Sequence, residues 1–508
     1  MEADVNFIAD PPDTRPHTLD LPRDLARAVG LTVLTPPKLA LPQAINQPAD
    51  TEVLQTWLSD LAPQADFLIC SLEGLCLGGM IPARIVEDSL EQALQGLNCL
   101  RQIKKNHPKL RILAFGVIVR VAHGNDPYEE KPYFADYGDL LRDYSHHTDK
   151  FLRHQQPEDQ QKLCKLQENI PPSYLRDWLN TRQRNHQLHQ IALDFVAEGI
   201  IEHLCLTLDD TSSYGLAAID RRALEAKVDS LGLWQQVDIY PGADEVPCTL
   251  LARALQLKAS RVYVHYSSLL GAAANMRFED RAAGELIKAH LRAAKCKLRS
   301  LAEADWILAV NVPAEKQVEQ SEQPDYGYVD TAQRHLPEFI DFIADYLPVK
   351  AVAIADIAYP NGAERRFLQL LRQRIPLKDL AAFSAWNTAG NSLGTAITMA
   401  VCAPLVVDKL LWQNLLFNRF VDDYLYQGWF RQELAKALTN PNLWDLGPQQ
   451  PEAETRLDEG LYKLASQLHQ EHFNHYTFRW QKPYLAWPRL FTGVFPYVLA
   501  NSDLKSDA

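Results

Sequence analysis

The sequence predicts an α/β fold built on a largely parallel sheet. Three observations carry this expectation. Short apolar runs alternate with amphipathic stretches over ten units. The runs are apolar on both sides of the pleat, as strands covered by helices on two faces must be. Polar residues follow nearly every run at its carboxyl end.

The elements follow in chain order. Runs at 5–9, 31–34, 67–71, 113–119, 204–208, 237–240, 262–266, 306–310, 351–355 and 381–385 are short and apolar, which suits buried strands. Between them, 50–61, 89–105, 184–197, 219–231, 248–257, 279–298, 337–346 and 363–374 place apolar residues at helical spacing. Residues 133–180 interrupt this rhythm with a polar insertion that reads as helices. After residue 407 the strands stop. Residues 410–438 and 456–473 read as helices separated by the break Asn440-Pro441-Asn442, and an aromatic, proline-rich tail closes the chain. The expected organisation is an α/β core over 1–405, with a helical insertion near 133–180, and a helical extension over 406–508 packed on that core.

Two architectures satisfy the alternation. One is a (β/α)8-barrel-like sheet; the other is a pair of doubly wound α/β domains. Asp13, Glu73, Arg120, Asp209, Asp244, Asn311, Asp356 and Asn387 all follow strands. A barrel gathers such ends at one mouth, whereas an open sheet gathers only those near its switch point. The barrel is therefore the leading expectation.

Composition narrows the function classes. A hydrophobic fraction of 47% over 508 residues supports a large core. The formal charge of −13 lacks the basic footprint of a nucleic-acid binder and disfavours anionic membranes. The eight cysteines form no C-x-x-C pair and several sit in apolar runs, so buried, reduced thiols are expected. The start of the chain does not read as a signal peptide, and no apolar run is long enough to span a bilayer. A cytoplasmic protein acting on a small polar ligand is expected, with the oligomeric state open.

Several segments could carry chemistry. Pro11-Pro12-Asp13-Thr14-Arg15-Pro16 places an acid and a base on a stiff loop. Ser71 to Arg84 holds three glycines and Glu73, which suits close backbone approach rather than a phosphate loop. Leu208-Asp209-Asp210-Thr211 ends a strand on two adjacent carboxylates, with Tyr214 just beyond; neighbouring carboxylates split each other's proton affinity. One of the two could simply cap the next helix. Tyr240-Pro241-Gly242-Ala243-Asp244-Glu245 repeats the pattern one βα step later. Four carboxylates in one mouth need a proton, a metal or an arginine to compensate them. Asp356 with Asn361, and Trp386-Asn387-Thr388-Ala389-Gly390-Asn391, supply amides and a flat ring suited to a sugar.

These segments, with Asn418-Arg419-Phe420-Val421-Asp422-Asp423, resemble the bacterial domain-of-unknown-function family 4127 over nearly the whole chain. That resemblance implies no activity. A local likeness is also present. Gly242-Ala243-Asp244-Glu245 resembles a signature of family 20 β-hexosaminidases, and Asp209-Asp210 resembles the paired aspartates of family 84 enzymes. Both families are barrel glycosidases. Ala243 departs from the first pattern, which has glycine there.

The leading expectation is a glycoside hydrolase-like enzyme. Glu245 or Asp210 would be the general acid and Asp244 or Asp209 the orienting base. Asp13, Arg15, Glu73, Tyr214, Asp356, Asn361, Trp386, Asn387 and Asn391 would hold the substrate. One alternative is a divalent-metal hydrolase or isomerase with Asp209, Asp210, Asp244 and Glu245 as ligands. Another is a non-enzymatic binding protein for a small polar ligand.

Overall fold

The computed structural model describes residues 6–42, 44–319, 333–439 and 442–501. Val5 of the first expected strand and Asn440-Pro441 of the expected helix break lie outside them. The chain divides into two units. The first comprises Met1–Thr14, Leu31–Leu250 and Phe278–Asp280; the second comprises Arg15–Gly30, Leu251–Arg277 and Arg281–Ala508.

The first unit holds a six-stranded sheet: β1 (Asn6–Asp10), β2 (Thr32–Leu34), β3 (Phe67–Ser71), β4 (Arg111–Ile118), β5 (His203–Leu208) and β6 (Val237–Pro241). All pairings are parallel, in the order β2-β1-β3-β4-β5-β6. β3 and β5 are buried along their whole length, which explains their unbroken apolar character. The second unit holds a five-stranded parallel sheet: β7 (Ser260–Tyr266), β8 (Cys296–Leu298), β9 (Trp306–Asn311), β10 (Ala351–Asp356) and β11 (Ala382–Ser384). Its order is β8-β7-β9-β10-β11.

The α/β class with parallel strands is thus what the chain adopts. Its parallel strands lie in two sheets, and among the described residues neither sheet's pairing closes into a ring. Both sheets run second-first-third-fourth-fifth, so each has a switch point where the winding reverses, between β1 and β3 in one and between β7 and β9 in the other. The sequence shows no repeat, yet the same winding occurs twice.

The helices expected at 50–61, 89–105, 219–231, 248–257, 337–346 and 363–374 start and end within three residues of those bounds, among sixteen α-helices described. The sixteen begin with α1 (Leu21–Ala28), α2 (Thr51–Leu61), α3 (Leu72–Leu77), α4 (Leu90–Asn106), α5 (Phe134–His154), α6 (Pro157–Asn169), α7 (Pro172–Ala197), α8 (Leu216–Leu231) and α9 (Val246–Leu255). α10 (Ala283–Ala293), α11 (Leu336–Tyr346), α12 (Arg365–Arg374), α13 (Ala389–Cys402), α14 (Lys409–Arg419), α15 (Arg431–Ala437) and α16 (Gln450–His472) follow. Asp50 caps α2 through the Val53 N–H, and Ser89 closes a capping box with Gln92 on α4. The insertion is helices α5 to α7, with its own cluster of Phe134, Leu141, Ile170 and Trp178.

Three details depart from the pattern reading. Residues 279–298 are not one helix: α10 ends at Ala293 and the chain turns into β8, a short edge strand whose Lys297 and Leu298 are exposed. Three residues are too few to show a period. The segment 410–438 is interrupted by a π-helix, Phe420–Phe430, flanked by α14 and α15. Strands also reappear after residue 407, as two short antiparallel pairs, β12 (Tyr476–Phe478) with β15 (Leu499–Asn501) and β13 (Tyr484–Leu485) with β14 (Gly493–Val494). Among the described residues the eight cysteines form no disulfide, and six are buried. Among the described residues no helix is long and apolar enough to cross a membrane.

Candidate active site

In the first unit the chemistry gathers at the carboxyl ends of β4, β5 and β6. β5 delivers Asp209 and Asp210 into the turn that follows it. Neither caps α8. That duty falls to α5, where Asp149 accepts the Gly215 N–H (3.0 Å) and Ser145 accepts the Leu216 N–H (2.8 Å). Both aspartates are left for other work.

Each turns to an arginine. Arg84 donates to Asp209 at 2.6 Å and lies 3.3 and 3.5 Å from Glu129 and Glu130. Arg120 donates to Asp210 at 2.8 Å and also reaches Glu129 (2.9 Å) and Glu130 (3.1 Å). Two guanidinium groups therefore face four carboxylates, and negative charge is in excess. The cluster opens toward solvent at Asp210, whose side chain is 22% exposed, while that of Arg84 is 3% exposed.

Asp210 is unusual twice over. Its backbone is left-handed, with φ of 40°, a conformation that costs a non-glycine residue on the order of 1–3 kcal/mol. Burial, with Asp209 beside it, pushes its carboxyl up to about 6 against the pull of Arg120 and Arg84.

Glu245 is different. It is buried, and its carboxylate folds back on its own turn, where Oε2 accepts the Ala243 N–H at 2.9 Å. Oε1 lies so close to Gly242 that a Cβ there would displace the Glu245 carboxyl. Burial pushes this carboxyl up to about 8, with Asp244 and Asp209 adding to the effect, so it is neutral at pH 7. Of the four acids expected in one mouth, Asp209 and Asp210 are met by arginines and Glu245 by a bound proton.

Of the other expected residues of this unit, Asp13, Glu73 and Asp244 are buried. Asp13 and Asp244 are each 3% exposed. Glu73 lies 2.7 Å from His189 Nε2 and accepts the Val117 N–H at 2.9 Å, bracing the sheet. Tyr214 is partly exposed, with its hydroxyl 3.1 Å from His154 and Arg153 over its ring. At the switch point, Asp10 on β1 is fully buried beside Cys70, and burial pushes its carboxyl up to about 7.

The second unit holds the remaining candidates. Asp356 is buried and spends its oxygens on the Glu364 N–H (2.7 Å) and the Asn311 amide (2.9 Å). Glu364 in turn receives both arms of Arg334. Asn361 and Asn387 both have left-handed backbones, and the Asn361 N–H donates to the Asn387 carbonyl at 2.7 Å. Gly362 beside them has φ of 140°, and a Cβ there would stand 2.6 Å from the backbone of Gln427 and Gly428. Asn391 bonds Thr388 (3.2 Å), and the Arg15 guanidinium lies over Trp487.

Trp386 leads to residues that the pattern reading did not assign to a site. Its ring stacks on His17 at 3.5 Å. His17 Nε2 lies 3.2 Å from Asp422 and 2.8 Å from Arg419, which also binds Asp423 at 3.0 Å. Asp423 Oδ2 accepts the Ala385 N–H and the Ser384 hydroxyl, so it also ties down the end of β11. Among the described residues, His17, Asp422 and Asp423 are the side chains whose metal-ligating atoms converge, within 4.8 Å of one another. The signal available in sequence was the Asp422-Asp423 pair; His17 is too distant along the chain to be paired with it by any local pattern.

The family model described as "Protein of unknown function (DUF4127)" matches residues 7–494. The chain belongs to this family. The match spans both sheets and the helical segments after them, in keeping with the whole-chain resemblance of the motifs. No curated protein matches the chain, and no finding supports the local likeness to glycosidases. Among solved structures, "The first ketoreductase of the tylosin PKS" is 12% identical over 82% of this chain and 76% of that one. Its TM-score of 0.19 is too low to carry an argument about fold or function.

Proposed function

We propose that this DUF4127 chain is an acid–base hydrolase of a small, uncharged polar substrate, with its reacting centre at Asp209 and Asp210. The observation that supports this reading most directly is Asp210. It combines a strained backbone, a proton affinity near 6 and partial exposure at a strand end. Perturbed carboxyls of this kind gather at functional sites.

In this reading Asp210 donates the proton to the leaving oxygen. Asp209, held by Arg84, orients the substrate or activates water. Glu245, neutral and turned onto its own loop, shapes the wall beside them. The surplus of carboxylates over arginines repels anionic substrates such as phosphate esters and admits neutral polyols. A glycosidic bond is the substrate class to assay first, since it calls for two carboxyl groups of unequal proton affinity.

The test is a panel of nitrophenyl glycosides with the full chain and two variants. Asp210→Asn should lose turnover by at least about a hundredfold, the usual contribution of a general acid, while Glu245→Gln retains it. Turnover retained by Asp210→Asn, or lost in Glu245→Gln alone, overturns the assignment. Ligand-induced stabilisation with no turnover of any glycoside would leave binding as the function of this face.

A further inference from the structure

We propose that His17, Asp422 and Asp423 form a divalent-cation site in the second unit, with Arg419 as a built-in competitor for the same position. This site lies outside the centre assigned above and does not depend on it.

Two neighbours make opposite demands on His17 Nε2. Arg419 Nη1 sits 2.8 Å from His17 Nε2, so it asks that nitrogen for a lone pair. Asp422 Oδ2 sits 3.2 Å from the same nitrogen and asks it for a proton. One ring nitrogen cannot satisfy both. A metal ion in place of the guanidinium nitrogen removes the conflict, because it takes the lone pair of His17 and the charge of both carboxylates together. The spacing suits this. Ligands at about 2.0–2.2 Å from an ion stand roughly 3 Å apart, which is the separation of His17 Nε2 from Asp422 Oδ2.

A second, independent observation points the same way. Gln427 is 1% exposed and donates its amide to Asp422 (3.4 Å) and to the Phe491 carbonyl (3.0 Å). Its Oε1 has no hydrogen-bond partner among the described residues. An acceptor oxygen left unsatisfied on the buried side chain that binds Asp422 calls for a cation or its bound water. Gln427 and both aspartates lie on the π-helix Phe420–Phe430, a rare geometry often found at functional sites.

Arg419 has somewhere to go. With Asn418 and Asp422 it lines an open cleft, which also holds Asp20, Arg23 and Asp24. The cleft gives the guanidinium space to swing into and an ion a way to enter. One imidazole and two carboxylates suit Mn²⁺ or Zn²⁺ better than a soft ion such as Cu⁺.

The test is calorimetric titration of the metal-stripped full chain with Mn²⁺ and, separately, Zn²⁺. One ion per chain is expected. His17→Ala should weaken binding by at least about tenfold, since loss of even an outer partner of a metal ligand costs that much. Arg419→Met should tighten binding about tenfold or more by removing the competitor. If Arg419→Met fails to fold without metal, its recovery of a cooperative melt on adding Mn²⁺ supports the site, and no recovery counts against it. Stoichiometric binding unchanged in His17→Ala, or no binding by the wild-type chain, overturns the proposal.

Discussion

Replacing Glu245 by glutamine should stabilise the chain, and the gain should grow with pH. In the folded chain Glu245 keeps its proton up to about 8, whereas its ordinary value is 4.5. Between these values the folded state holds a proton that the unfolded state has released. Stability therefore falls as pH rises, by about 1.4 kcal/mol per unit. Over the whole interval this is on the order of 5 kcal/mol. Below the ordinary value both states are protonated and the loss vanishes. Glutamine is neutral at every pH and has nearly the same shape, and its amide oxygen can accept the Ala243 N–H as Oε2 does. The variant should thus match the wild type in acid and exceed it increasingly toward pH 8. For a unit of this size, the difference in melting temperature should widen by roughly 10 °C between about pH 5 and pH 8. Thermal unfolding of both proteins across that range reads it out. A constant offset, or a variant least stable at the alkaline end, would show that Glu245 is already ionised in the folded state and would refute the burial argument.

The other expectations concern the arginines, the proton donor and one glycine. Arg84→Met leaves Asp209, Glu129 and Glu130 without one of their two cations and should cost about 3–5 kcal/mol; denaturant melts that show no loss would mean the cluster is better solvated than its burial implies. If Asp210 is the proton donor, kcat/KM on any glycoside turned over should fall as pH rises through about 6, and a fall in the opposite direction would make it a base. Gly362→Ala forces a Cβ to 2.6 Å from the Gln427–Gly428 backbone at a φ of 140°, so it should destabilise by at least about 2 kcal/mol; an unchanged melt would show that this loop relaxes freely.

Much of the fold was legible because it is written locally. Apolar runs such as Phe67–Ser71 and His203–Leu208 are strands buried on both faces, and no tertiary knowledge is needed to see that. β8 escaped because three residues show no period, and the π-helix escaped because its spacing resembles an α-helix over so short a span. The candidate site was legible as residue types at strand ends. Its division of labour was not. Asp209-Asp210 and Asp244-Glu245 look alike in sequence, yet one pair faces two arginines at the cluster's open edge, while Glu245 turns back onto its own amides.

By itself, the sequence determined the α/β class, the position of most strands and helices, and the concentration of acids and amides after strands. Those follow from periodicity and from the limited conformations of glycine and proline. Tertiary structure decided that the strands form two sheets with the same winding, since pairing order joins residues that no local pattern connects. It decided which carboxyl keeps its proton, because that depends on burial and on arginines brought in from distant loops. It also set His17 against Arg419, 402 residues along the chain, where a single ring nitrogen meets two opposite demands. Proton affinity and ligand geometry are properties of neighbourhoods in space, and for this chain those neighbourhoods are made by folding.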